Sequence, residues 1–130
     1  MKLNEIKFGE VIFSKTIVLD GDASLPPFPD QFTRLQTNGY PFTFTFVVNT
    51  SLFYTEPPIA FLSICVNKNG TIVYQSGSMR LPFDPFATEP KDRYAIASRL
   101  DNVTFPKPGK YLVELLLNSR VRHKEPLYLD

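Results

Sequence analysis

Twelve prolines are spread through this chain of 130 residues, and they leave few windows in which a long helix could run. Inside a helix a proline removes a hydrogen bond and clashes with the preceding turn, whereas turns and strand edges accommodate it. Between the prolines, apolar residues recur with period two, the pattern of a strand with one buried face. The segment from Pro41 to Asn49 is the clearest case. Phe42, Phe44, Phe46 and Val48 fall on one side, and Thr43, Thr45 and Val47 on the other. Both Phe and Thr suit a pleated surface, so this stretch reads as a strand with a buried and a partly wet face.

The same pattern continues along the chain. Leu3 to Phe8 and Val11 to Leu19 read as strands, with Val11, Phe13, Lys15, Ile17 and Leu19 on one face and Lys15 interrupting it. Asp20-Gly-Asp22 ends the second strand with turn chemistry. Residues 23–41 carry Pro26, Pro27, Pro29 and Pro41 and are expected to form a long loop, in which Asp30 could cap one helical turn bearing Phe32 and Leu35. Ile59 to Val66 is apolar on both faces and reads as a central strand. Asn69-Gly70, between that run and Ile72 to Ser76, predicts a type I′ hairpin, whose two positive-φ residues match the twist of paired strands.

Residues 78–93 are again broken by prolines, as in Leu81-Pro-Phe-Asp-Pro-Phe86. From Tyr94 to Phe105 two patterns compete. Thr88 could cap a helix with Pro90 in its first turn, but the alternation of Tyr94, Ile96, Ser98 and Leu100 supports a strand. Pro106-Lys-Pro-Gly109 turns into Lys110 to Leu117, with Tyr111, Val113, Leu115 and Leu117 facing the core. Asn118-Ser119 turns once more into a last strand, Arg120 to Leu129, which Pro126 marks as a sheet edge. The whole predicts an all-β, two-sheet antiparallel β-sandwich of about 7–9 strands, formed by residues 1–130 as a single domain.

Composition agrees with a folded core. Hydrophobic residues make up 43% of the chain and aromatic ones 14%, far above a disordered composition. A chain of this length buries roughly two-thirds of its surface and holds together without staples. The formal net charge of +1 gives no support to nucleic-acid binding. No segment reaches the roughly 20 apolar residues that cross a bilayer. With one cysteine and no leader-like apolar run at the N-terminus, a cytoplasmic location is the simplest expectation.

From Leu100 to Leu129 the order is an apolar strand, the turn Pro106-Lys-Pro-Gly-Lys-Tyr111, a second apolar strand and a terminal hairpin ending in Pro126-Leu-Tyr-Leu129. This passage resembles the Pro-Gly-x-Tyr region of immunoglobulin-like sandwiches. The whole order, with its N-terminal strand pair, the Phe28-Pro29 loop and the Asn-Gly hairpin, resembles an uncharacterised bacterial and phage family of single-domain β-sandwich proteins. The resemblance implies an immunoglobulin-like architecture and transfers no catalytic role, because its shared motifs, Gly109 and Tyr111 among them, are structural.

No residue pattern points to catalysis. His123 is the only histidine, and Arg120, Arg122 and Lys124 around it oppose the positive charge that a general base takes up. Cys65 lies in an apolar run, where a thiolate is disfavoured. One histidine and one cysteine do not make a zinc site, Asp20-Gly-Asp22 lacks the ligand spacing of a calcium loop, and no cofactor motif occurs. Binding residues are expected instead in loops held by the sandwich: Phe28, Tyr40, Phe53, Tyr54, Phe83 and Phe86, which could equally plug its ends. The basic run Arg120, Arg122, Lys124 is a second candidate. Simple alternation aligns those three on one face and turns His123 away, where they would bind an anion or merely guard an edge strand. The expectation is a non-enzymatic binding or protein-interaction domain, with a protein partner or a homo-oligomer and neither nucleic acid nor membrane. The alternative is a small-ligand module for a sugar or an anionic metabolite.

Overall fold

The computed structural model describes residues 6–15, 30–54, 60–81 and 93–130. Its strands are β1 (Lys7–Phe8), β2 (Ile12–Ser14), β3 (Gln31–Phe32), β4 (Arg34–Leu35), β5 (Phe42–Phe53), β6 (Phe61–Lys68), β7 (Thr71–Gln75), β8 (Met79–Arg80), β9 (Arg93–Phe105), β10 (Gly109–Leu117) and β11 (Arg120–Leu129). No helix occurs among the described residues. Among the described residues eleven strands stand against the expected seven to nine, because the N-terminal part is cut into pieces of two or three residues.

Two sheets form. In the first, β5 pairs with β9 on one side and with β1 and β2 on the other, and β3 lies beyond β2. In the second the order is β4-β11-β10-β6-β7, with β8 on the same edge of β6 as β7. Every pair is antiparallel except β4 with β11. The set β2, β5, β9 against β6, β10, β11 has the order of strands A, B, E and C, F, G of the immunoglobulin sandwich, with β7 in the place of C′. A further mark of that fold is present at the start of β10, where the buried Tyr111 donates its hydroxyl to the Lys107 carbonyl at 2.6 Å. Cys65 is a free thiol, so no disulfide joins the two sheets as one does in antibody domains.

The core follows the alternation. Phe46, Val48, Leu52, Leu100, Val103 and Phe105 from the first sheet meet Leu62, Ile64, Val66, Tyr111, Val113, Leu115, Leu117, Leu127 and Leu129 from the second, all buried. Each large side chain so placed contributes about 1.5–3 kcal/mol. Phe42, Phe44 and Phe46 form a ladder of near-parallel rings, 5.7 and 6.3 Å apart, that runs from the half-buried end of the sandwich into its centre. Phe105 and Tyr111 close it edge to face at 5.0 Å.

Turn chemistry sets the connections. Asn69 and Gly70 take φ of 52° and 85°, joining β6 to β7 as the Asn-Gly pair predicts. Asn118 and Ser119 do the same between β10 and β11, at 49° and 68°. Asn118 exchanges two hydrogen bonds of 2.9 Å with the Phe61 backbone, and this helps hold the unusual turn. Residues 93–105 are strand, as the alternation indicates. Within it an extra residue opposite β5 places Asn102 at φ 52°, with its N–H donating to Thr45 Oγ1.

Two expectations are corrected. Phe32 and Leu35 do not share a helical turn; they lie in β3 and β4, which belong to different sheets. Phe32 pairs with Phe13 and Leu35 with Leu129, so burial against two separate partners outweighs the local capping signal of Asp30. The edge marked by Pro126 is only partial, because β4 pairs with β11 at Tyr128 and Leu129 beyond it. Residues 16–29 and 82–92, including the expected turn at Asp20 to Asp22 and the loop aromatics Phe28, Phe83 and Phe86, lie outside the described residues.

Candidate functional site

The outward face of the second sheet is built from the positions that alternate with the core. Paired residues share a face, so the registers give its layout directly. Leu116 lies between Ser63 and Val121, with Phe61 on the diagonal. The next row holds Gln75, Cys65, Glu114 and Lys124. After it come Ile72, Asn67, Leu112 and Pro126, and then Lys110, Tyr128 and Arg34. Two mainly apolar rows, each interrupted by one polar residue, Ser63 or Asn67, thus flank one polar row. Phe61, Ile72 and Val121 are 43%, 56% and 44% exposed, which for large apolar side chains on one face is high.

Electrostatics on this face are mostly settled within it. Lys124 Nζ stands 3.8 Å from Glu114 Oε2, and Arg34 is ion-paired with Asp130 while its guanidinium lies 5.0 Å from the centre of the Tyr128 ring. Cys65 is buried, but between Glu114 and Gln75 on this outward side rather than in the inter-sheet core. Burial pushes its thiol above the ordinary value, an effect that the Asn67 hydrogen bond offsets in part and the Glu114 carboxylate adds to.

The basic run does not form one patch. A register shift puts Leu115 opposite His123 but Leu116 opposite Val121, making Arg122 the extra residue of a bulge. Arg120 is paired with the core-facing Leu117, and Lys124 with the outward Glu114, so the two lie on opposite faces. Arg122 reaches across to the Ile6 carbonyl at 3.2 Å, tying β11 to the first sheet's N-terminal segment. His123 shares the core side with Glu125, whose Oε2 is 2.9 Å from Nε2, and with Phe8 at 6.0 Å between ring centres. The acid two residues on is the neighbour that a reading confined to the basic residues overlooks.

The described loop aromatics divide. Tyr54 is buried and Tyr40 packs against the core with its hydroxyl on the Asp130 carbonyl, whereas Phe53 is 42% exposed. A different recess, of about 590 Å³, opens where β3 crosses to β4, and is lined by Phe32, Phe42 and Phe44 with Lys15, Asp30 and Arg34. Phe32 meets Phe44 edge to face at 5.8 Å there. A second recess, of about 370 Å³, lies between β6 and β9 and is lined mainly by Leu62, Ile64, Met79 and Leu100. No helix among the described residues is long and apolar enough to cross a membrane.

No protein-family model matches the chain, and no curated protein does. Among solved structures, it is similar to the alkylpurine DNA glycosylase AlkC of Pseudomonas fluorescens, bound to DNA containing an abasic-site analogue, with a TM-score of 0.55 and 12% identity. That match covers 97% of this chain and 30% of the glycosylase, so the chain spans under a third of that protein. It is also similar to an immunoglobulin-like protein of Pseudomonas aeruginosa, with a TM-score of 0.49, 12% identity and 97% of both chains covered. At this identity the first likeness speaks for the fold alone; the immunoglobulin-like assignment rests on the strand order and the Tyr111 corner.

Proposed function

We propose that this chain is a non-enzymatic binding domain that docks a protein on the outward face of the β6-β10-β11 sheet. The observation that carries the reading is the pair of apolar rows there, Phe61-Leu116-Val121 and Ile72-Leu112-Pro126. A sheet face that meets only water places polar residues at these positions. Large exposed apolar side chains gathered on one face mark an interaction surface, and here they lie on either side of a single polar row. A catalytic reading finds little support in the residues best suited to it. Cys65 faces outward and His123 faces the core side, so the sheet separates the one thiol from the one imidazole.

The test is a photo-reactive phenylalanine placed at Val121, at Phe61, and at Thr104 on the outward face of the first sheet as a control. Adducts from a lysate of the source organism at Val121 and Phe61, and none at Thr104, support the docking face. Equal labelling at all three positions, or none, overturns it.

A second reading is favoured by the recess beside β3 and β4. Half-buried Phe32, Phe42 and Phe44 next to Lys15 and Arg34 suit a flat or sugar-like ligand carrying negative charge. Under this reading the domain captures a sugar or an anionic metabolite. A thermal-shift screen across sugars and nucleotides checks it, with Phe44→Ala abolishing any shift seen. Silence from every compound removes the reading.

A further inference from the structure

The charges around the apolar rows narrow the partner. This step rests on the reading of the outward face as the docking surface. Four cations belong to that face: Arg34, Arg80, which pairs in register with Phe61, Lys110 and Lys124. Its carboxylates among the described residues are Glu114 and Asp130, and each is already engaged, with Lys124 and Arg34 respectively. Arg80 and Lys110 are exposed and have no carboxylate within ion-pair distance among the described residues. They stand at opposite ends of the face, Arg80 beside Phe61 and Lys110 beside Tyr128.

A second copy of the chain fits this arrangement badly. A two-fold dimer joins a patch to itself, so it would gather two copies each of Arg80 and Lys110 in one interface. Among the described residues, no free carboxylate of this face on either copy would meet them. Like charges brought together in an interface oppose association and select against that partner. We infer that the occupant of this face is a different protein, whose apolar strip is flanked at both ends by acidic side chains. The apolar side chains supply the buried contact, and Arg80 and Lys110 set orientation and speed the encounter.

The experiment uses the full chain with the photo-reactive residue at Val121, on the unaltered background and on Arg80→Glu/Lys110→Glu. The adduct on the unaltered background is expected to have the mass of a heterologous protein and to weaken as salt is raised. Charge reversal is expected to lower its yield by about tenfold or more. Arg80→Gln/Lys110→Gln gives an intermediate loss. Because both side chains are exposed, the thermal midpoints of all three backgrounds are expected to agree, and this separates lost binding from lost folding. An adduct of twice the chain mass, with a dimer in sedimentation of the purified chain, overturns the inference in favour of a second copy. An adduct to nucleic acid overturns it as well. Equal adduct yield from the charge-reversed chain overturns the acidic partner while leaving the docking face standing. Absence of any adduct at Val121 removes the docking face itself.

Discussion

The Tyr111 hydroxyl donates to the carbonyl of Lys107, four residues upstream, at 2.6 Å. The bond spans the turn that launches β10, so one side chain fixes both the turn and the first core position of the strand. The ring is fully buried against Phe105, which leaves the hydroxyl little choice of partner.

Tyr111→Phe keeps the ring and removes the hydroxyl. The Lys107 carbonyl loses its partner, and the domain is expected to lose about 1–2 kcal/mol. Urea denaturation at neutral pH measures the difference, and an unchanged midpoint would show that the corner contributes packing only.

Gly109 opens the same strand at φ 130°, a conformation that side chains rarely adopt, and a β-carbon there would stand 2.8 Å from Lys68 Cε. The lysine end can move aside, but the backbone strain stays. Gly109→Ala is expected to cost about 1–3 kcal/mol, and Lys68→Ser in the same chain should fail to restore it. Recovery in that double variant would mean that contact, not strain, is the cause.

Asn49 is buried in β5, and its Nδ2 donates to the Ile12 carbonyl at 3.0 Å and to Ser14 Oγ at 2.9 Å. The short strand β2 has few other bonds to hold it. Asn49→Ala is expected to remove about 1–3 kcal/mol and to speed amide exchange in residues 12–14 before the rest of the sheet responds. Uniform exchange across β5 and β9 would contradict this local role.

Leu115 and Leu116 are neighbours in β10 with opposite assignments, one in the core and one on the proposed docking face. Leu115→Ala is expected to cost about 2–5 kcal/mol, and Leu116→Ala less than about 1 kcal/mol while weakening adduct formation at Val121. Thermal unfolding of the two variants reads the difference, and similar losses would place the second leucine in the core as well.

The Cys65 thiol is held protonated by burial, so its folded-state pKa stands above the ordinary 9.0. The unfolded chain therefore releases this proton first as pH rises. Stability from this source is intact below the ordinary value and declines as pH climbs above it. Cys65→Ala is expected to flatten the alkaline part of the stability curve and, in the parent chain, thiol-specific reagents should react slowly at neutral pH. Parallel curves for parent and variant would rule the thiol out as the cause.

Much of the architecture was legible wherever a local pattern and its burial coincide. The Phe42-Phe44-Phe46 alternation, the Asn69-Gly70 hairpin and the strand from residue 93 to 105 all follow from the spacing of side chains along a few residues. The proposed docking face was half visible. The run from Ile59 to Val66 is largely apolar in both phases, and Leu112 and Leu116 flank Glu114 in the outward phase of β10, but a strand buried on two sides and a strand with one side offered to a partner share that signature.

Sequence alone determined that this chain makes strands, where its hairpins turn and, for β5 and β10, which side is the greasier, because those properties depend on neighbours a few bonds apart. Tertiary structure alone decided that Arg120 and Lys124 part to opposite faces, that Glu125 meets His123, and that Phe32 and Leu35 enter different sheets. A single extra residue in a ladder reverses every side chain beyond it. The pairing that absorbs that residue is chosen by partners distant along the chain, so its consequence is written in the register and nowhere in the local spacing.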